Sequence, residues 1–270
     1  MTVSVNYRLQ MSHRSTSTLR IVELCIDAND QRRLAGFWAA ALRWEIDVDT
    51  YDDIGLVPTD NTRFKILFEP TRQTKVGKNR IHLDLTTESV DDQNDTVATL
   101  LELGARHIDI GQSANESHVV LADPEGNEFC VLAPNNTFLA GCERLGAINC
   151  DGRRETGYFW SAALGWPVVW DQNGETAIRA PDNTGPLITW SGPPLIPKLT
   201  KNRLHLDIAP AAEQGAEVER LLDLGATRVD IGQGHLDWLV MADPDENEFC
   251  LLQPSAKTRE SEMISIWISS

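Results

Sequence analysis

The 270 residues include 40 acidic and 24 basic side chains, for a formal net charge of −16, with 41% hydrophobic and 24% charged residues. This is the balance of a globular protein with length enough for two ordinary domains. It argues against nucleic acid and membranes as partners, because neither a basic stripe nor an apolar run of roughly 18–20 residues is present.

Residues 1–18 lack periodicity and read as a tail. They carry no apolar h-region, so no secretory signal is expected, and a cytoplasmic location is. The cysteines Cys25, Cys130, Cys142, Cys150 and Cys250 form no CxxC pair, which favours reduced thiols over a disulfide framework. "LRIVELCID" (19–27) predicts an apolar strand. Leu34, Phe37, Trp38, Ala41 and Leu42 then follow helical spacing, with Asn29 or Asp30 as N-cap. Short strands end with "FKILFEP" (64–70). "RIHLDL" (80–85) is a strand, and residues 90–103 predict a helix through Val97, Leu100 and Leu101, closed by Gly104. "HIDIG" (107–111) and "HVVLAD" (118–123) are expected strands, and "DPEGN" turns the chain into a last one, "EFCVL" (128–132).

The same order then recurs. "FWAAALRW" (37–44) returns as "FWSAALGW" (159–166), and "NRIHLDL" (79–85) as "NRLHLDI" (202–208). "LELGARHIDIGQ" (101–112) returns as "LDLGATRVDIGQ" (222–233), and "DPEGNEFCVL" (123–132) as "DPDENEFCLL" (243–252). Of these 37 aligned positions 26 are identical, so the chain is two homologous repeats. The expected division is a tail (1–18), a first domain (19–134), a linker (135–142), a second domain (143–254) and a C-terminal tail (255–270). Each domain is a strand–helix–three-strand module used twice. Glu246 replaces Gly126 in the second turn, so either Glu246 or Asn247 must supply a left-handed residue if the turn needs one.

Strand alternation assigns faces. Ile81, Leu83 and Leu85 should face the helix; His82 and Asp84 then share the opposite, concave side. Glu128 and Cys130 join them, and His205, Asp207, Glu248 and Cys250 repeat the pattern. Polar groups converging among apolar ones on a concave face are the usual design of a small-ligand cavity. A self-satisfied His–Asp pair is the plain alternative.

These blocks resemble the vicinal oxygen chelate (VOC) superfamily, and specifically its glyoxalase-like domains of the glyoxalase and bleomycin-resistance type. "CIDANDQRRLAGFWAAALRW", "KNRIHLDL", "LLELGARHIDIGQ" and "LADPEGNEFCVL" carry the likeness. It implies an α+β fold of tandem VOC domains, each with two βαβββ modules forming a cup-shaped mixed β-sheet, with helices outside. Metal-using members hold a divalent ion in the cup with His and Glu. Carried over, Glu23 and His82 stand at first-strand ligand positions, but the last-strand carboxylate falls on Cys130. Glu69 lies several residues late in "FKILFEP". The second repeat keeps His205 and Cys250 but has Gly146 or Ala147 near the first-strand position. A Glu23–His82–Cys130 set is the one conceivable zinc geometry. Since hard or borderline ions in such cups are served by His and carboxylate, no metal and no other cofactor is expected.

The remaining residues have plainer readings. Trp38 and Trp160 should be core. His118 and Trp238 occupy matching places and either line the cup or pack in the core. Cys130 and Cys250 read as buried fillers rather than nucleophiles. His13, His107 and His235 read as surface residues. The expected function is binding of a small organic molecule in one or both cups, as a binding module or a degenerate lyase or isomerase, with His82 or Glu128 as the acid or base if chemistry occurs. The alternatives are a divalent-metal-dependent VOC enzyme (lyase, epimerase or extradiol dioxygenase) and an interaction scaffold using "MISIWISS" (263–270). The expected assembly is a monomer of two paired domains or a homodimer.

Overall fold

Four βαβββ modules make up the chain in a computed structural model, which describes residues 19–48, 53–112, 116–211, 213–230 and 238–254. The first module is β1 (Leu19–Ala28), α1 (Gln31–Leu42), β2 (Glu45–Val48), β3 (Ile54–Val57) and β4 (Lys65–Pro70). The second is β5 (Ile81–Leu85), α2 (Val90–Glu102), β6 (Arg106–His107), β7 (Val119–Ala122) and β8 (Glu128–Val131). The third is β9 (Leu145–Cys150), α3 (Arg154–Leu164), β10 (Val168–Gln172), β11 (Glu175–Ile178) and β12 (Leu187–Trp190). The fourth is β13 (Leu204–Pro210), α4 (Gln214–Leu224), β14 (Thr227–Arg228), β15 (Leu239–Ala242) and β16 (Glu248–Leu251). No helix of the described residues is long and apolar enough to cross a membrane.

The local elements obey the sequence. Asp30, not Asn29, caps α1, its side chain accepting from Arg33 N at 3.1 Å. Gly104 takes φ +102° after α2, and Glu246 itself takes the left-handed position at φ +67°, where Gly126 has +92°. "HIDIG" is not a full strand: only Arg106–His107 pair with β7, and the expected strand stops there.

The modules do not pair as the repeats suggest. Sheet A runs β14-β15-β16-β13-β1-β4-β3-β2, and sheet B runs β10-β11-β12-β9-β5-β8-β7-β6. Each sheet thus joins one module from each repeat, through the antiparallel seams β1–β13 and β5–β9. A cup belonging to one repeat, as expected from the repeat boundaries, is corrected here: both cups are shared. Alternation could not settle this, because it fixes the face of a side chain and not the neighbour of a strand.

Apolar residues of both sheets meet the helices in one continuous core. Trp38 packs edge-on against Phe129, with centroids 5.2 Å apart, and Trp160 against Phe249 at 5.1 Å. Each indole also binds the turn that precedes the last strand. Trp38 Nε1 donates to Asp123 Oδ2 and Trp160 Nε1 to Asp243 Oδ2, both at 3.1 Å. The other oxygen of each aspartate accepts backbone N–H groups of its own turn, from Glu125 and Asn127 and from Asp245 and Asn247. Burial raises the proton affinity of both carboxyls, and these donors oppose it. The repeated "FW" and "DPxxNEF" are therefore two halves of one lock.

The "NR" of the repeated strand has a similar task. Buried Arg203 donates to Asn127 Oδ1, Gln73 O, Asp27 O and Glu125 Oε2, so the fourth module is tied to both modules of the first repeat. Arg80 reciprocates from the second module, reaching Asp245 O at 2.7 Å and Asp151 Oδ2 at 3.3 Å.

Candidate functional site

On β13, Leu204, Leu206 and Ile208 join the core, so His205 and Asp207 point to the opposite face of sheet A, here called its cup face. The register places Lys65, Glu23, Asp207 and Cys250 in one row across β4, β1, β13 and β16, and Cys25 beside His205 in the next. His205 is 2% exposed. Its Nε2 lies 3.2 Å from Asp207 Oδ1, as an ion pair, and 3.9 Å from Glu69 Oε2, while its Nδ1 has no hydrogen-bond partner among the described residues. Two ammonium groups offset part of the carboxylate charge. Lys65 Nζ is 3.1 Å from Glu23, and Lys201 Nζ is 2.8 Å from Asp27 and 4.0 Å from Glu69. Burial raises the proton affinity of Glu69, against the pull of His205 and Lys201. Burial, then the neighbouring carboxylates, raises Cys25 well above the usual thiol range, and Cys250 likewise. Both thiols stay protonated and are poor nucleophiles.

Sheet B carries the equivalent places with different chemistry. His82 Nε2 lies 3.5 Å from Asp84 Oδ1, and burial with the adjacent Asp84 raises Cys130. Where sheet A has Glu23, Cys25 and Lys65, sheet B has Ala147, Asn149 and Leu187. Its cup face holds an apolar cluster that includes Val120, Cys130, Ala147, Ala177 and Leu187, capped by Leu139 of the linker. Phe138 of the linker also meets Trp170 edge-on at 5.3 Å.

The expected site residues are thus divided. Glu23, His205, Asp207 and Cys250 come together on sheet A; His82, Asp84 and Cys130 come together on sheet B. The Glu23–His82–Cys130 set is corrected: Glu23 belongs to the other sheet. Glu128 and Glu248 are also corrected as cup acids or ligand contacts, because each is consumed by a structural pair. Glu128 accepts from Lys75 Nζ at 2.7 Å and from Asn79 N at 3.2 Å, and Glu248 lies 2.5 Å from Lys198 Nζ and accepts from Asn202 N at 3.2 Å. His82 accordingly neighbours Asp84 rather than Glu128. His118 pairs with Glu116 at 3.1 Å, and Trp238 is 38% exposed instead of lining a core. His107 is exposed. His13, His235 and the 263–270 segment lie outside the described residues. Glu69 and Lys201 were missed as members of the sheet A site; alternation puts Lys65, Leu67 and Glu69 on one face of β4, but only the seam brings His205 to them.

Among the described residues, four donor groups have ligand atoms within 4.8 Å of one another: Cys25–Glu69–His205, His205–Asp207–Cys250, Glu23–Cys25–Asp207 and His82–Asp84–Cys130. On sheet A, one imidazole and several carboxylates fit a divalent cation in donor type and charge. The thiols fit less well, since each would have to lose a proton that its surroundings hold.

Two eight-stranded mixed sheets built from four βαβββ modules, with a model of the "Glyoxalase-like domain" matching residues 23–132 and 147–252, decide the family. The chain belongs to the glyoxalase-like domain family. Its tandem glyoxalase-like domains have the fold of known structures. Glyoxalase I from Zea mays superposes with a TM-score of 0.61 at 14% identity, covering 90% of this chain and 95% of that one. A mutant of the same maize enzyme reaches 0.63 at 14% identity, covering 95% and 99%. A putative dioxygenase from Bacillus subtilis reaches 0.55 at 12% identity, covering 89% and 86%. At such identities the likeness is one of fold. A comparison with curated proteins finds no match.

Proposed function

We propose that this glyoxalase-like protein binds a small organic molecule on the cup face of sheet A, without a metal, and that Glu69 and His205 exchange a proton with it if a reaction follows. The observation that carries the reading is the Glu69–His205–Asp207 array. Buried polar groups are normally paired, and His205 Nδ1, left without a hydrogen-bond partner among the described residues beside the His205–Asp207 ion pair, calls for an explanation. Glu69, with its side chain 36% exposed, forms the open side of the array. Its raised proton affinity lets it act as a general acid at a higher pH than an ordinary glutamate. Lys65 pairs with Glu23 and Lys201 with Asp27, and Lys201 also lies 4.0 Å from Glu69, so part of the positive charge that a resident cation would supply is already at hand.

A second reading is favoured by the donor groups themselves: a divalent ion held by His205, Asp207 and Glu69, acting as a Lewis acid toward a carbonyl or hydroxyl oxygen. Two measurements separate the readings. Metal analysis of protein purified without chelators should find less than a stoichiometric ion, and a thermal-shift ligand screen should yield a compound that stabilises the wild type but not His205→Ala. A stoichiometric metal lost in His205→Ala would replace the first reading by the second. A screen in which every stabilising compound acts equally on His205→Ala would remove both from this face.

A further inference from the structure

Apart from either cup, we infer that the free edge of sheet A, strand β2, is a docking site for an extended segment of another protein in which apolar and basic residues alternate. Sheets A and B end in four edge strands: β14, β2, β10 and β6. An open edge presents unpaired backbone donors and acceptors, and proteins blunt it by shortness, bulges or covering groups. β14 and β6 are two residues each. β10 has a register shift between Val168 and Trp170, and its Asp171 is held by Arg154 and by Tyr158 Oη, which donates to it at 2.7 Å. A bulge of this kind interrupts regular pairing. β2 is different. All four of its residues, Glu45–Val48, pair with β3 in unbroken register, and no described strand pairs with its other side.

The two faces of β2 differ in chemistry. Ile46 and Val48 stand opposite Leu56 and Ile54, which belong to the core, so they continue the core face. Yet they are 50% and 43% exposed, because the sheet stops there. Their counterparts in the second repeat, Val168 and Trp170, pack against the core and the sheet B cluster. Glu45 and Asp47 point the other way; both are exposed, and neither is in an ion pair among the described residues. A strand added to this edge alternates with the same period and therefore meets both faces. Its apolar residues would cover Ile46 and Val48. The residues between them would stand opposite Glu45 and Asp47, where Lys or Arg pairs favourably. The net charge of −16 draws the same class of partner from a distance. A second copy does not fit, because a two-fold axis that keeps the core faces together sets acid against acid, Asp47 against Asp47 or Glu45 against Asp47. The chain's own "MISIWISS" (263–270) offers apolar residues but no cation.

The test uses the full chain and four labelled octapeptides, followed by fluorescence anisotropy: alternating Lys-Val, alternating Thr-Val, alternating Glu-Val, and a block peptide of four Lys then four Val. Alternating Lys-Val should bind at least about tenfold more tightly than each of the other three. The block peptide has the same charge, so it separates strand addition from simple attraction to an acidic protein. Asp47→Lys should weaken alternating Lys-Val by at least about tenfold, and Asp95→Lys, an equal charge change on the exposed face of α2, by less than about threefold. Both variants exchange exposed residues, so their melting temperatures should match wild type. The proposal falls if no peptide binds, if the block or Thr-Val peptide binds as well as alternating Lys-Val, or if the two variants weaken binding equally. It falls also if the protein sediments as a dimer that Asp47→Lys dissociates, which would make a second copy the occupant. Deletion of residues 257–270 should leave the affinity unchanged; a tenfold gain would make that segment the occupant and overturn the proposal. The readout runs through Asp47 and not His205, so failure of the sheet A cup reading leaves it legible.

Discussion

Arg203→Met tests how the two repeats are held together. Arg203 is 8% exposed and makes four hydrogen bonds, to Asp27 O at 2.6 Å, Glu125 Oε2 at 2.7 Å, Gln73 O at 3.1 Å and Asn127 Oδ1 at 3.2 Å. Methionine roughly fills the stem and removes every donor. Glu125, whose oxygens also accept from Asn29 N and Asp30 N, would keep its charge in a buried place without its counter-ion. Breaking one partner of a buried pair costs about 3–5 kcal/mol. With a urea slope of roughly 3 kcal/mol per molar, the midpoint should fall by about 1–1.7 M. Lysine should not rescue the loss, because a single ammonium cannot serve four acceptors set by a planar fork. The assay is urea unfolding followed by both tryptophan fluorescence and far-UV circular dichroism. A midpoint within about 0.3 M of wild type would refute the reasoning, since it would place Arg203 outside the network that joins the repeats.

Three other expectations follow from the same structure. Because burial raises Glu69, its contribution to stability is fully present below its unfolded value and is lost as pH rises through its folded one. Glu69→Gln should therefore gain stability over wild type toward neutral pH and lose that advantage below about pH 4, which paired melting curves across pH will read. Glu246→Gly relieves a non-glycine residue at φ +67° and should raise stability by about 0.5–1 kcal/mol, visible in urea titrations; a loss would mean that the Glu246 side chain matters more than its backbone. Finally, residues 143–254 produced alone should yield no folded monomer, because β9 and β13 lose their partners β5 and β1. A cooperative monomeric unfolding transition at low concentration would contradict the shared sheets.

Much of this was legible in the chain itself, for a physical reason. Helix and strand periodicity are local, so the helices around Trp38 and Trp160, the strand at His82 and the facing of His205 and Asp207 could be read directly. Repetition added the family and the fold. Even the left-handed residue at 246 was anticipated as one of two choices. What the sequence could not carry was the identity of each strand's neighbour. Backbone hydrogen bonds join strands without regard to side-chain identity, so nothing in "LRIVELCID" says that it pairs with "NRLHLDI" rather than "NRIHLDL". That one choice moved Glu23 away from His82, brought Glu69 and Lys201 to His205, and set Thr189 and Asn149 beside His82. It also decided which polar residues were spent on architecture. Glu128 and Glu248 looked like cup acids by phase, yet lysines from loops of the adjoining segments hold them. The sequence determined the modules and their faces, because those depend on neighbours along the chain; tertiary structure decided the sites, because a site is made by neighbours across the seam.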